Sequence, residues 1–214
     1  MKKRFLLLSA LLTLAAFAFC AWLYPALPES IPTHWNADGV ADGFSPRMAI
    51  FAYSGLMLAA IAAWIALPSL SPQRFTIDAF APTWWQGGVM VVAFLGYMQC
   101  LHAWSAHAGG VDIGRAALAG LALLFAFTGN VMGKVRRNFW FGVRTPWALA
   151  NGRVWYATHR MAARSMVAGA ALALLMLLLR APAGWAIAVL VGSALLPAAW
   201  SLLYYKRLER RGAL

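Results

Sequence analysis

The stretch Lys134–Arg164, KVRRNFWFGVRTPWALANGRVWYATHRMAAR, decides how the rest of the chain is read. It holds seven of the 18 Lys and Arg residues (Lys134, Arg136, Arg137, Arg144, Arg153, Arg160 and Arg164), with His159 as a conditional eighth charge, and it contains no acid. Phe139, Trp140, Phe141, Trp147, Trp155 and Tyr156 are interleaved with the charges, and long apolar runs flank both sides. Basic groups pair with anionic lipid head groups, and Trp and Tyr rings favour the boundary between water and lipid. The stretch therefore reads as a cytoplasmic loop on the inner membrane surface.

The composition agrees. The 214 residues are 63% hydrophobic and only 11% charged, against about 25% charged in soluble domains. The net charge of +12 would suggest nucleic acid in a soluble protein. Here the charges sit at the ends of apolar segments, which points to the lipid bilayer as partner and away from direct nucleic-acid binding. Cys20 and Cys100 lie inside apolar runs, without CxxC or Cys/His zinc spacing, and read as small buried hydrophobes.

A spanning helix needs about 20 mostly apolar residues. Six segments qualify: Phe5–Tyr24, Met48–Leu67, Trp84–Ala106, Gly114–Gly133, Met161–Leu179 and Gly184–Tyr205. The first also resembles a secretory signal, but its length and the Trp22/Tyr24 pair favour a retained helix. Pro197 inside the last segment predicts a kink. The fold class expected is all-α and integral to the membrane, with six spans. Residues 1–68 form a first helix pair with its loop, residues 69–113 a third helix with its connections, and residues 114–214 the remainder.

Six spans place both termini on one side. With the termini in the cytoplasm, 15 of the 18 basic residues lie inside and only Arg47, Arg115 and Arg180 outside. The reverse orientation would move those 15 charges across, so the positive-inside rule selects N-in/C-in. Glu29, Asp38, Asp42 and Asp112 then fall outside, with His34, His102 and His107 at or near the outer face.

The outer loop between the first two spans is turn-rich: Pro25, Pro28 and Pro32 forbid a continuous helix, Asp38-Gly39 and Asp42-Gly43 are turn dipeptides, and Ile31–Trp35 is a candidate extended piece. His34, Trp35, Asn36, Asp38 and Asp42 are its candidate functional residues. His34, Asp38 and Asp42 have metal-ligand chemistry and recur every four positions, so a divalent-metal site is one reading. The other has Asn36, Asp38 and Asp42 bonding nearby backbone N–H groups in Asx-turns. Spacing alone does not establish coordination geometry, and the turn reading is preferred for the two aspartates. His102 and His107, five apart, do not share a helix face.

In the inner loop Asn151 is placed to cap a helix running straight into the fifth span. On it Arg153, Arg160 and Arg164 share one face, while Trp155, His159, Ala162 and Met166 share another that turns into the protein. Gly142-Val143-Arg144-Thr145-Pro146-Trp147 reads as a rigid turn, with Pro146 holding Thr145 extended. The stretch is either a membrane anchor alone or a docking platform.

Both loops resemble the SdpI family of bacterial membrane proteins. The inner match is Gly129-Asn130, Lys134, Asn138, Phe141-Gly142-Val143-Arg144-Thr145-Pro146-Trp147, Trp155 and Thr158-His159-Arg160. The outer match is Pro32, His34-Trp35-Asn36, Gly39 and Asp42-Gly43, typical of the domain preceding the SdpI region; Ala41 and Arg47 stand where proline and lysine are common. Residues 114–214 are then the SdpI-like region. The resemblance implies a bacterial cytoplasmic-membrane protein of binding, signalling or immunity function. A secreted antimicrobial peptide toxin would be its outer partner and a transcriptional repressor or other regulator its cytoplasmic one. The inner binding candidates are Asn138, Gly142, Arg144, Thr145, Pro146, Trp147, Trp155, His159 and Arg160. The competing class is a membrane enzyme or small transporter using the outer His/Asp cluster. No Ser/His/Asp set, HExxH or phosphate loop supports an enzyme, and the spans carry almost no ionisable groups for an ion-coupled transporter. No cofactor is expected beyond that divalent metal.

Overall fold

The computed structural model describes residues 1–36, 39–72 and 75–214. It contains helices α1 (Lys2–Leu23), α2 (Ala52–Ala66), α3 (Ala81–Ala108), α4 (Ile113–Met132), α5 (Pro146–Ala150), α6 (Gly152–Leu178) and α7 (Ala183–Arg210), and strands β1 (Ser30–Trp35) and β2 (Ala41–Pro46). Six helical segments among the described residues are long and apolar enough to cross a membrane: Lys2–Ala26, Arg47–Leu70, Asp78–Ala108, Ile113–Met132, Gly152–Leu178 and Ala183–Arg210. Each contains one of the six runs read from the sequence, apart from a residue or two at the ends.

The chain divides into two compact units, Met1–Trp64 with Gly88–Leu121 and Ile65–Gly87 with Ala122–Leu214. In the first unit the turn-rich outer loop is a two-stranded antiparallel hairpin, β1 against β2, with Ser30 opposite Pro46 and Trp35 opposite Ala41. Its turn end is closed by Asn36, whose N–H donates to Val40 O (2.9 Å), whose carbonyl accepts from Gly39 N (3.0 Å), and whose Oδ1 accepts from Val40 N (2.9 Å). Gly39 has φ +77°, a conformation that glycine adopts without a Cβ clash. At the other end Arg47 N donates to Glu29 O (2.9 Å), and the Arg47 guanidinium bonds Leu27 O and lies 4.7 Å from the Tyr24 ring centre. Ile31 of the hairpin is fully buried among Cys20, Leu23, Leu27, Ile50 and Ala103. The hairpin is thus seated on apolar side chains of α1, α3 and the approach to α2.

In the second unit α6 packs on α7 through small residues. A Cβ on Gly169 would meet Ser193 Cβ at 2.5 Å, closer than side-chain atoms approach, so the glycine sets the helix separation. Helix α7 continues through Pro197, running from Ala183 to Arg210. Pro197 has no N–H to give Ser193 O, its partner four residues back. Ser165 Oγ of α6 donates to that carbonyl instead, at 2.8 Å. In hydrocarbon a freed carbonyl needs such a substitute. Ser165→Ala is expected to lower stability in detergent by about 0.6–1.7 kcal/mol, the range for interhelical bonds in membranes. A thermal melt checks this, and a Ser165→Thr variant that keeps a hydroxyl should lose less.

Helix α6 ends in a Schellman motif: Ala181 N donates to Met176 O and Arg180 N to Leu177 O, with Arg180 at φ 56° where glycine is usual.

Candidate functional site

The inner stretch is built around two side chains that close its backbone. Asn138 is fully buried. Its Nδ2 donates to Arg136 O and Phe141 O, both at 2.8 Å, and its Oδ1 accepts from Trp140 N (2.8 Å) and Phe141 N (2.7 Å). A primary amide has two donors and two acceptor lone pairs. All four are used, so one side chain organises the turn from Arg136 to Phe141.

His159 closes the next turn. Its Nδ1 lies 2.9 Å from Trp155 O, and its Nε2 lies 3.1 Å from Val143 N. A carbonyl only accepts and a backbone N–H only donates, so the ring is the neutral tautomer with its proton on Nδ1. His159 is buried and stacks on Trp155 with ring centres 4.0 Å apart; Trp155 Nε1 in turn donates to Val135 O at 2.9 Å. Gly142 stands against the same imidazole. It has φ +114°, and a Cβ there would land on His159 Nε2.

Thr145 joins the turn to α5 and α7. It is extended (φ −70°, ψ 154°), as a residue before proline should be, and its Oγ1 accepts from Ala148 N at 3.3 Å. Ser201 Oγ donates to Ala198 O at 2.6 Å, so in the 2.7 Å contact between the hydroxyls Thr145 donates and Ser201 accepts. Pro146 takes the first helical position of α5. Asn151 Oδ1 caps α6, accepting from Arg153 N (2.8 Å) and Val154 N (3.4 Å).

These contacts sort the sequence candidates by role. Asn138, Gly142, Thr145, Trp155 and His159 hold the backbone in shape. Arg144, Pro146 and Arg160 are exposed and Trp147 is half-buried. The Arg144 guanidinium returns to Phe139 O at 2.6 Å. Arg136 lies over the Tyr156 ring, at 5.3 Å, and Arg153 Nη1 reaches Ala213 O at 3.2 Å. Arg153, Arg160 and Arg164 are exposed while Trp155, His159 and Ala162 are buried, the two faces expected on α6. The arrangement is a rigid polar frame presenting arginines and aromatic edges outward. Ser201, the hydroxyl partner of Thr145, lay in an apolar run with nothing in its neighbourhood to single it out.

The outer candidates meet differently. His34 Nδ1 contacts Asp42 Oδ1 at 2.5 Å across the hairpin, and both side chains are solvent-exposed. The Asp42 carboxylate therefore faces the His34 ring, where an Asx-turn was expected. Asp38 lies outside the described residues. Gly43 is opposite His34, and a Cβ on it would come within 2.9 Å of His34 Cβ, so Asp42-Gly43 is a close-approach pair in a strand. Trp35 packs edge-on to His102, with ring centres 5.8 Å apart. His102, which its spacing left without a role, is buried, and its Nε2 donates to Pro32 O at 2.6 Å, tying β1 to α3. Among the described residues no three His, Cys, Asp or Glu side chains converge as a metal-ligand set.

The residues framing the inner cap belong to a stretch, 134–205, that matches the SdpI/YfhL protein family model. Over that stretch the chain is similar to the SdpI/YfhL family. Residues 11–58, which enclose the hairpin, match DUF1648, a domain of unknown function. The chain is 25% identical over 167 residues to a protein named "Immunity protein SdpI" from Bacillus subtilis (strain 168), covering 78% of this chain and 77% of that one. No solved structure matches it. In the SdpI region the family match runs from Lys134 at the start of the cap to Tyr205 near the end of α7, so it takes in both the Asn138 and His159 closures and their Thr145–Ser201 link.

Proposed function

We propose that this protein, SdpI-like over residues 134–205, acts in immunity and signalling at a bacterial cytoplasmic membrane. Its outer hairpin faces a secreted antimicrobial peptide, and its inner cap docks lipid head groups or a cytoplasmic regulator such as a repressor. The observation that carries the reading is the division of labour in the inner cap: a buried frame whose polar groups are all turned inward holds exposed Arg144 and Arg160 and half-buried Trp147 in fixed positions. A membrane anchor needs charge and aromatic rings but no such frame. Arg and Trp are also residues enriched at the energetic centres of interfaces. The similarity to a protein named for immunity supports the biological setting.

The test is survival. Cells lacking an immunity protein of this family, with and without this chain, are challenged with the secreted peptide against which that immunity protein protects. The chain is expected to raise survival at least tenfold, and unchanged survival refutes the immunity reading. Arg144→Ala and Trp147→Ala, assayed beside it, are expected to reduce the response severalfold while the thermal midpoint in detergent moves little. Equal loss of both would make these residues structural only.

The orientation is N-in/C-in, supported by the 15 basic residues gathered on the side of the termini. A phosphatase reporter fused after Leu214 is expected to be inactive; an active fusion inverts the topology.

A further inference from the structure

The last turns of α7 carry a cationic group that the inner cap does not use. Leu203, Lys206, Arg207, Arg210 and Arg211 line a surface cavity of about 340 Å³. Leu203, Lys206, Arg207 and Arg210 follow at i, i+3, i+4 and i+7, one face of the helix. Lys206 is paired with Glu209 at 2.8 Å. No carboxylate is paired with Arg207, Arg210 or Arg211 among the described residues, and all three are exposed. One turn earlier Trp200 and Tyr204 stack with ring centres 5.9 Å apart, at the level where aromatic side chains mark a membrane boundary. Leu203, within that aromatic level and one turn nearer the span than Arg207, is 64% exposed. The cavity thus has an apolar wall at its membrane end and three uncompensated guanidinium groups at its aqueous end.

We propose that this cavity is a binding site for one anionic phospholipid. The phosphate and the rest of the head group sit among Arg207, Arg210 and Arg211, and an acyl chain runs along Leu203. Guanidinium groups bind phosphate oxygens through paired N–H donors, which a single ammonium does not match. The amphipathic lining selects a lipid over a soluble anion, because only a lipid covers Leu203 and meets the arginines together. The Arg153 bond to Ala213 O holds the tail that follows Arg211 against the start of α6. This site is separate from the immunity reading and stands or falls without it.

The experiment is native mass spectrometry of the full-length protein in detergent, titrated with phosphatidylglycerol or phosphatidylcholine. One phosphatidylglycerol per chain is expected to bind at least tenfold more tightly than phosphatidylcholine. The triple variant Arg207→Gln/Arg210→Gln/Arg211→Gln should lose that preference while its helical circular dichroism is kept. The variant Lys2→Gln/Lys3→Gln/Arg4→Gln removes the same charge elsewhere and should retain it. Equal loss in the two variants would reduce the effect to general surface charge and overturn the proposal. So would equal retention of the two lipids by the wild type. Displacement by millimolar inorganic phosphate would assign the site to a free anion and also overturn it.

Discussion

Gly142→Ala is expected to have the largest effect of any single methyl added to this protein. Two independent penalties coincide there. The backbone at φ +114° is one that residues with a Cβ rarely adopt, and the added carbon would land on His159 Nε2. The first costs about 1–3 kcal/mol. The second adds about 1–3 kcal/mol of overpacking, because the imidazole is locked by Trp155 O, Val143 N and the Trp155 ring and has nowhere to retreat. A loss of about 2–6 kcal/mol approaches the whole stability of many domains. The measurement is a thermal melt in detergent together with limited proteolysis between Lys134 and Asn151. A wild-type melt with unchanged cleavage would refute the packing described at this turn. A Gly55→Ala control, on α2 with nothing within 4 Å of the added Cβ, should be neutral or slightly stabilising.

Asn138→Ala is the second large effect. It removes four hydrogen bonds at once and leaves Arg136 O, Phe141 O, Trp140 N and Phe141 N without the partners that fold the turn. Each buried group left unsatisfied costs about 1–3 kcal/mol. The loop lies at the surface, so water reaches some of them, and the expected net loss is about 2–4 kcal/mol. Asn138→Asp discriminates between acceptor and donor roles. The carboxylate still accepts from the two N–H groups but has nothing to donate to the two carbonyls, and it places a charge in a buried position. It is expected to be no better than alanine in the same melt. Asn138→Asp at wild-type stability would show that the two donor bonds contribute nothing.

The two substitutions bear on the same functional question. If the frame exists to present Arg144, Trp147 and Arg160, breaking it at Gly142 or Asn138 should remove the response to the challenging peptide even where the exposed residues are intact. The exposed residues, substituted singly, should remove the response and leave the melt in place. The two classes of variant thus separate support from contact.

Helix number and extent were legible because they depend on local composition. Twenty apolar residues in sequence have to cover their own backbone hydrogen bonds in lipid, and the helix does so within the segment. The Asn151 cap was legible for the same reason: its bonds go to Arg153 and Val154, two and three residues away. So was the division of α6 into an arginine face and a Trp155/His159 face, which follows from helical period alone.

The hairpin was only half legible. Ile31–Trp35 read as extended, but its partner strand contains Asp42-Gly43, and that dipeptide signals a turn when read locally. Its actual role depends on His34, which lies opposite Gly43 and bonds Asp42. At Pro197 the sequence shows the missing N–H, but not that Ser165 on a different helix donates to the Ser193 carbonyl left without it.

The sequence by itself determined that the chain is helical, membrane-embedded and basic at defined places, because hydropathy, period and charge are properties of neighbours along the chain. Only the tertiary structure decided what the motif residues do. Asn138 and Gly142 are frame and clearance, His159 is a neutral clamp, Thr145 is tied to Ser201 on α7, and His102 fastens the hairpin through Pro32 O. Those roles rest on contacts 16, 56 and 70 residues apart in the chain for the last three bonds. A hydrogen bond is directional and short, so its partner across such a distance is set by how the helices pack and leaves no periodic trace in the residues between.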